Sequence, residues 1–284
     1  MKLGVAGMLG GGSPEEVRRV REWGFTAASW HLPDFTVTDD EERLLAVRDS
    51  LEREEIHLCQ LGPPDYPSLV HRDPEVRAAG VAALGKVLRA AVTVGAGNVY
   101  VRPGSMNPAG AWTPHPENHK PETRDRLVES LRALVLLAEE AGVPLAMEGH
   151  AVSPVDNATV AREVLDRVGS PWLRLNADPV NFIRNIDEAY DNTALLNEWF
   201  DLLGPDVATA HAKDVTVQER LVVHVEECVP GQGHLDQETF LRRFDACCPT
   251  GVVLIEHLPA ERVPEARRAL LEFARQAGLT FEGD

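Results

Sequence analysis

The chain has 284 residues, of which 44% are hydrophobic, so it can bury a large core and fits a single domain. Its 45 acidic and 28 basic residues leave a formal charge of −17, which repels phosphate backbones and argues against a nucleic-acid partner. No apolar run approaches the roughly eighteen residues that cross a bilayer, so no membrane partner is expected.

The cysteines indicate the redox state of the compartment in which the protein is located. Cys59, Cys228, Cys247 and Cys248 have no metal-type spacing, and they include an adjacent pair that does not suit a disulfide framework. We therefore predict a reducing, cytoplasmic location.

Strand-like and helix-like segments alternate along the whole chain. Strands are predicted by short apolar runs, and helices by capping residues such as Ser13-Pro14 at their starts and by glycines such as Gly142 at their ends. The predicted strands are 2–7, 25–29, 56–61, 98–102, 143–148, 173–178, 207–211 and 251–256. The predicted helices are 14–24, 41–54, 74–94, 122–141, 157–168, 187–203 in two segments, 236–247 and 263–277.

Eight strands that each precede a helix favour an α/β fold with a parallel sheet, closed as a single (β/α)8 barrel over residues 1–284. A doubly wound open sheet is the alternative, but no G-x-G-x-x-G or P-loop follows any strand. Two segments depart from the alternation. The loop around 103–121 is long enough to be a lid, and an excursion around 215–235 carries a β-like stretch at 221–225.

Four apolar runs end in a residue that can bind a metal. These residues are Glu148, Asp178, His211 and Glu256, and each is separated from the next by enough chain for a strand, a helix and two loops. Parallel strands around one axis would bring all four side chains to one mouth of the barrel.

Three carboxylates that converge on an imidazole would repel one another unless a cation lies between them. Oxygen-rich coordination with one nitrogen suits a single divalent ion. We expect Mn²⁺, with Mg²⁺, Co²⁺ or Zn²⁺ as alternatives.

These residues, the segment His211-Ala212-Lys213-Asp214, the turn Pro230-Gly231-Gln232-Gly233 and Ile255-Glu256-His257 resemble those of a known superfamily. The chain looks like the xylose isomerase-like TIM barrels, the sugar phosphate isomerase/epimerase group that includes D-tagatose 3-epimerase. The resemblance covers nearly the whole length.

The resemblance implies a divalent-metal-dependent isomerase or epimerase acting on a small sugar or cyclitol. It assigns the metal to the four residues above, and the roles of catalytic acid and base to Glu148 and Glu256. One glutamate would remove the proton next to a metal-chelated carbonyl, giving an enediolate, and the other would return a proton to the opposite face. A single base would instead give aldose-ketose isomerisation.

Two other functions stay open. A lyase or dehydratase acting on a keto-sugar or inosose would start with the same proton abstraction, and a non-catalytic sugar-binding barrel would keep only the pocket.

Many members of the superfamily have histidine where this chain has Asn181, and strands three and four lack the extra histidines of a three-zinc nuclease. Pairing of two copies through outer helices is an analogy to other barrels.

Several polar or aromatic residues near the predicted mouth are candidates for binding substrate. The candidates are Arg102, Trp112, His115, His150, Asn181 and Lys213. A structural role is the alternative for most of them: a loop-bracing ion pair for Arg102, and a salt bridge with Asp214 for Lys213. Strand alternation turns His257 away from the side that Glu256 faces, which predicts a supporting role.

Overall fold

The computed structural model describes residues 1–283, and within them eight parallel strands close into a barrel surrounded by helices. Two further strands, β8 and β9, lie outside the barrel. In chain order the described strands are β1 Lys2–Val5, β2 Ala27–His31, β3 His57–Gly62, β4 Val99–Val101, β5 Leu145–Met147, β6 Leu173–Ala177, β7 Val207–Ala212, β8 Asp214–Val217, β9 Val225–Cys228 and β10 Val252–Ile255. The barrel order is β1, β2, β3, β4, β5, β6, β7 and β10, which pairs with β1. The predicted (β/α)8 barrel is confirmed.

The helices begin and end at the residues that the sequence marks. They are α1 Pro14–Glu22, α2 Glu41–Arg53, α3 Pro74–Val94, α4 Pro121–Ala141, α5 Ala158–Val168, α6 Ile186–Tyr190, α7 Thr193–Leu203, α8 Gln237–Cys247 and α9 Val263–Gln276. Ser13 and Glu16 form a capping box at the start of α1. Gly142 ends α4 with φ 68°, in the left-handed region that glycine adopts without strain.

Barrel closure requires a close approach of β1 to both of its neighbours. Gly4 pairs with Ala27 on one side and with Leu254 on the other. A Cβ on Gly4 would lie 2.8 Å from the Ala27 carbonyl oxygen and 2.9 Å from Leu254 Cδ2, so only glycine fits. The main apolar core lies between the strands and the helices.

The lid-like loop contains no strand or helix of the barrel and is pinned by a buried asparagine. The Asn118 side chain accepts a hydrogen bond from the Met106 amide at 2.8 Å and donates one to the Val152 carbonyl at 2.7 Å. The loop therefore has a defined position beside the loop that follows β5.

The excursion after β7 is a two-stranded antiparallel ribbon of β8 and β9, in which Val215 pairs with Glu227. The predicted β-like stretch at 221–225 is wrong, because Leu221 and Val222 lie at the exposed turn of this ribbon and only Val225 belongs to a strand. Pairing starts at Asp214, whose carboxylate accepts the amides of Gly231, Gly233 and Leu235 and so fixes the base of the ribbon. The apolar run at 221–223 alone did not reveal this anchor.

No helix among residues 1–283 is long and apolar enough to span a membrane.

Candidate metal centre

Four side chains from the last four strands of the barrel meet at the mouth. Glu148 follows β5, Asp178 follows β6, His211 lies in β7 and Glu256 follows β10. One potential ligand atom of each lies within 4.8 Å of the other three. The exposed fraction is 3% for Glu148, 0% for Asp178, 2% for His211 and 8% for Glu256, so four ionisable groups are buried together.

The spacing of these atoms suits a shared ion. His211 Nδ1 lies 2.9 Å from Glu148 Oε2 and 3.0 Å from Glu256 Oε1. Two ligands that each lie about 2.1 Å from one metal ion, at a right angle, are about 3.0 Å apart. Asp178 Oδ2 lies 3.9 Å from the same nitrogen, which suits a more open angle.

The polar atoms at this place need a partner. Among the described residues, both carboxylate oxygens of Asp178, both ring nitrogens of His211 and Glu256 Oε1 are buried without a hydrogen bond. Buried polar groups are nearly always hydrogen-bonded or coordinated, so several orphaned atoms around one point indicate a ligand. Oxygen and imidazole donors fit a divalent metal ion.

Glu148 is held by amide groups on its own side of the barrel. Asn181 Nδ2 donates to Glu148 Oε1 at 2.8 Å, and Asn176 Nδ2 donates to Oε2. Asn176 in turn accepts a hydrogen bond from Thr209 Oγ1 at 2.7 Å and one from the side chain of Gln60. These contacts fix the orientation of Glu148.

Lys213 is buried against the same carboxylates. Its ammonium nitrogen lies 2.7 Å from Asp178 Oδ2 and 2.7 Å from Glu256 Oε1, at angles unsuited to hydrogen bonds, and it donates to Asn181 Oδ1 at 3.2 Å. The sequence alternative, a salt bridge with Asp214, is wrong, because the Asp214 carboxylate accepts backbone amides instead. Lys213 therefore faces the site.

Burial and mutual charge displace the pKa values at the site. Burial raises the pKa of Asp178 to about 7, although the Lys213 charge opposes the shift. Burial alone would lower the pKa of His211, but the charges of Glu256 and Glu148 raise it to about 10. Burial would raise the pKa of Glu256, but the positive charges of His211 and Lys213 hold it well below its usual value.

A cavity of about 280 Å³ adjoins Glu256. Its walls include the side chains of Ala6, His31, Pro63, Tyr100, Arg102, Trp112 and His257. The prediction that His257 faces away is wrong, because its φ of 55° breaks the strand alternation and brings Nε2 to 3.6 Å from Glu256 Oε2. Residue 257 lies beyond the end of β10, where period-two alternation no longer applies.

A second cavity of about 470 Å³ lies on the Asn181 side, bordered by His150, Asn181 and Glu227. The rings of Trp112 and His150 are 5.8 Å apart, so the lid and the loop after β5 meet above the quartet. Of the sequence candidates, Arg102 and Trp112 line the first cavity and His150 and Asn181 line the second.

Two candidates have structural contacts of their own. Arg102 pairs with Asp65 at 2.7 Å, the loop-bracing ion pair considered from the sequence, while it also lines the first cavity. His115 lies outside both cavity linings, and its Nδ1 accepts a hydrogen bond from the Glu117 amide inside the lid.

Sequence reasoning missed several groups that support the site. Asn176 and Thr209 each lie two residues before a quartet member, so a polar residue within an apolar strand was the signal that could have found them. Glu227 gave no local signal. Its Oε1 accepts a hydrogen bond from Lys213 at 3.0 Å, and its Oε2 lies 2.9 Å from His257 Nδ1.

Fold and site together define a (β/α)8 barrel with a buried place for one metal ion, formed by three carboxylates and one imidazole. The chain belongs to the xylose isomerase-like TIM barrel family, whose model matches residues 17–276. No curated protein matches the sequence.

Solved structures with the same fold include three that are informative about the family. A 3-keto-D-glucoside 4-epimerase from E. coli has 19% identity and a TM-score of 0.71, with 95% of this chain and 98% of that chain covered. A D-psicose 3-epimerase studied with D-fructose has 18% identity and a TM-score of 0.73, with coverages of 98% and 99%. A xylose isomerase-like barrel protein from Mycobacterium smegmatis in complex with magnesium has 18% identity and a TM-score of 0.73, with 97% of each chain covered.

Proposed function

We propose that this protein is a divalent-metal-dependent isomerase or epimerase of a small sugar or cyclitol. The observation that carries the proposal is the buried quartet of Glu148, Asp178, His211 and Glu256, with its orphaned oxygen and nitrogen atoms. Sugar epimerases among the similar structures, and magnesium in one of them, support it.

The quartet would hold the metal, with Mn²⁺ as the ion we expect. When bound, the ion supplies Lewis acidity that polarises a substrate carbonyl and so makes the neighbouring C–H proton removable. The three carboxylate charges of the quartet would offset those of one divalent ion and of the Lys213 ammonium, which lies beside two of these carboxylates.

We assign the base to Glu256, because it lines the cavity beside the quartet. Although burial would raise its pKa, the charges of His211 and Lys213 hold that pKa well below its usual value in the metal-free protein, and the Lys213 charge would remain beside it when the metal is bound. Glu148, which Asn181 holds from the border of the second cavity, would take up a proton from solvent and return it to the other face of the substrate carbon, while Glu256 would release its proton to solvent.

Other side chains would bind the substrate and exclude water. Lys213 would stabilise negative charge that develops on a substrate oxygen, while Asn181 and His150 would contact hydroxyl groups from the second cavity. Arg102 and Trp112 would contact the sugar from the first cavity, Trp112 by covering the ring. His115 has its contacts within the lid, and we assign it there to supporting Trp112.

Elimination on a keto-sugar or inosose is the second candidate, and the position of His257 favours it. Its ring lines the cavity beside Glu256, where a proton donor could assist departure of a hydroxyl or alkoxy group.

The four cysteines are free, which supports our placement of the enzyme in the cytoplasm.

The deciding experiment is a screen of ketoses, inososes and keto-glycosides in deuterated water with Mn²⁺, read by proton magnetic resonance. Isomerisation incorporates one deuterium into a product of unchanged formula, and elimination releases water or an alcohol. Turnover of neither kind across the screen, together with no retained metal by elemental analysis, would contradict the proposal.

Glu256→Gln tests the assignment of the base. We expect the variant to fold and, in Mn²⁺ at a concentration that saturates the variant, to keep most of its metal, with turnover reduced by at least about 100-fold because the amide cannot accept the proton. Glu261→Gln, an exposed glutamate on the loop after β10, is the matched control and should keep full activity. Normal turnover of Glu256→Gln would remove Glu256 from the mechanism.

A further inference from the structure

Glu256 belongs to a closed ring of four side chains in which two carboxylates alternate with two nitrogen-bearing groups. One of its oxygens, Oε1, lies 2.7 Å from Lys213 Nζ, and the other, Oε2, lies 3.6 Å from His257 Nε2. Both of these groups continue to Glu227, whose Oε1 is 3.0 Å from Lys213 Nζ and whose Oε2 is 2.9 Å from His257 Nδ1. Each oxygen of each carboxylate thus faces one nitrogen of the ring.

Glu227 reaches this ring from outside the barrel. It lies on β9, opposite Val215 of β8, and Asp214 fixes the base of the ribbon through backbone amides. The antiparallel pairing therefore sets the direction of the Glu227 side chain independently of the barrel strands. The turn of the ribbon, around Leu221, is exposed to solvent.

His257 needs such a partner. A φ of 55° is uncommon for a residue other than glycine, and it persists only where surrounding contacts hold it. The contact with Glu227 Oε2 holds the ring on the cavity side of β10, with its other nitrogen next to Glu256.

Lys213 also needs a negatively charged partner other than the carboxylates of the quartet. Its ammonium lies among Asp178 and Glu256, which are ligand candidates for the metal, so an unopposed Lys213 charge competes with the ion for the same oxygens. Glu227, which is outside the quartet, attracts the ammonium at 3.0 Å. Both effects of Glu227 favour occupancy by the metal.

We propose that Glu227 is a positioning residue, which orients Glu256 through Lys213 and His257 and so makes the β8–β9 ribbon part of the active site. The inference rests on the proposed metal-dependent function, but it is tested with metal ions alone. Carboxylates that orient the ligands of a metal site typically change metal affinity by about 10- to 100-fold when they are removed.

The test compares Glu227→Gln with Glu226→Gln, a matched control that removes the same charge from the neighbouring residue of β9. Mn²⁺ affinity is measured by calorimetry, and the Co²⁺-substituted proteins are compared by their visible absorption spectra. We expect Glu227→Gln to bind Mn²⁺ about 10-fold more weakly and to shift the Co²⁺ bands, because Glu256 is reoriented. Glu226→Gln should match the wild type in both.

A double-mutant cycle with His257→Asn tests whether Glu227 affects Mn²⁺ affinity through His257. The losses in Mn²⁺ affinity from Glu227→Gln and His257→Asn should be non-additive, because the two residues act through one contact. Additive losses, or an unchanged Mn²⁺ affinity and Co²⁺ spectrum in Glu227→Gln, would overturn the positioning role and leave the proposed function intact.

Thermal unfolding without metal separates positioning from a purely structural role. A lower Tm in Glu227→Gln, with wild-type Mn²⁺ affinity in the folded protein, would show that Glu227 only stabilises the ribbon and would overturn the proposal. A wild-type protein that binds neither Mn²⁺ nor Co²⁺ would overturn the proposed function as well, so the two failures are distinguishable.

Discussion

At the scale of single residues, the site is a compromise between burial and charge. Asp178, His211 and Lys213 are nearly inaccessible to water, and each is charged in at least one of its states. Burying one such charged group without a partner costs on the order of several kcal/mol. The three groups can be buried together only if their charges are offset by one another and by an ion.

Metal affinity should therefore depend on pH. Because the metal-free protein holds the pKa of His211 at about 10, metal binding must release that proton, and apparent Mn²⁺ affinity should rise about tenfold per pH unit between pH 7 and 8.5. Below pH 7 the slope should steepen, because Asp178, with a pKa of about 7, is protonated as well. Calorimetric titration with Mn²⁺ measures both slopes, and an affinity independent of pH would contradict the assignment of His211 as a ligand.

His31, which lines the cavity beside Glu256, should make the stability of the fold sensitive to acid. Burial and the nearby His211 lower its pKa from 6.5 to about 4, so the folded protein keeps it neutral. The unfolded chain takes up this proton first as pH falls below 6.5, and stability is lost between pH 6.5 and about 4.

His31→Gln should remove this dependence. Between pH 7.5 and 5 the wild type should lose about 1–2 kcal/mol of unfolding free energy more than the variant. Urea unfolding at the two pH values measures the difference, and equal losses in the two proteins would show that His31 does not titrate in this way.

At the scale of elements, two segments outside the barrel pattern shape the mouth. The lid after β4 supplies Trp112, and the ribbon after β7 supplies Glu227. Both are fixed at their base by one buried polar side chain, Asn118 for the lid and Asp214 for the ribbon.

Asn118→Ala should loosen the lid without unfolding the barrel. It removes hydrogen bonds to the Met106 amide and the Val152 carbonyl, a loss of about 1–3 kcal/mol for buried groups. Hydrogen exchange should become faster in residues 103–120 and stay unchanged in the β8–β9 ribbon, which is the internal control. Equal exchange of the lid in both proteins would mean that other contacts hold it.

At the scale of the whole molecule, the barrel and its ion should be thermodynamically linked. The quartet could hold a metal ion only when four separate strands bring its side chains together, so the unfolded chain has no equivalent site. Added Mn²⁺ at 1,000 times its Kd should stabilise the fold by about 4 kcal/mol, which raises Tm by roughly 8 °C at this chain length.

Asp178→Asn provides the comparison for this linkage. The variant should lose most of the rise in Tm with Mn²⁺, because one of three carboxylate ligands is gone. Thermal denaturation with Mn²⁺ and with a chelator measures the effect in both proteins. The same rise in Asp178→Asn as in the wild type would place the ion elsewhere.

The barrel and the membership of the quartet could both be predicted from local patterns in the sequence. Strand alternation, capping residues such as Ser13 and glycines such as Gly142 are local signals, and parallel strands in a closed barrel must end on one face. Glu148 and Glu256 could therefore be placed near each other although more than a hundred residues separate them.

The tertiary structure alone decided how that face is completed. The orientation of His257 depends on one positive φ beyond a strand end, and the partners of Lys213 depend on a ribbon whose pairing starts at Asp214. Local periodicity encodes neither, because both follow from contacts between segments far apart in the chain. Glu227 is the clearest case, an acidic residue in a short exposed strand that only the assembled fold brings to Lys213 and His257.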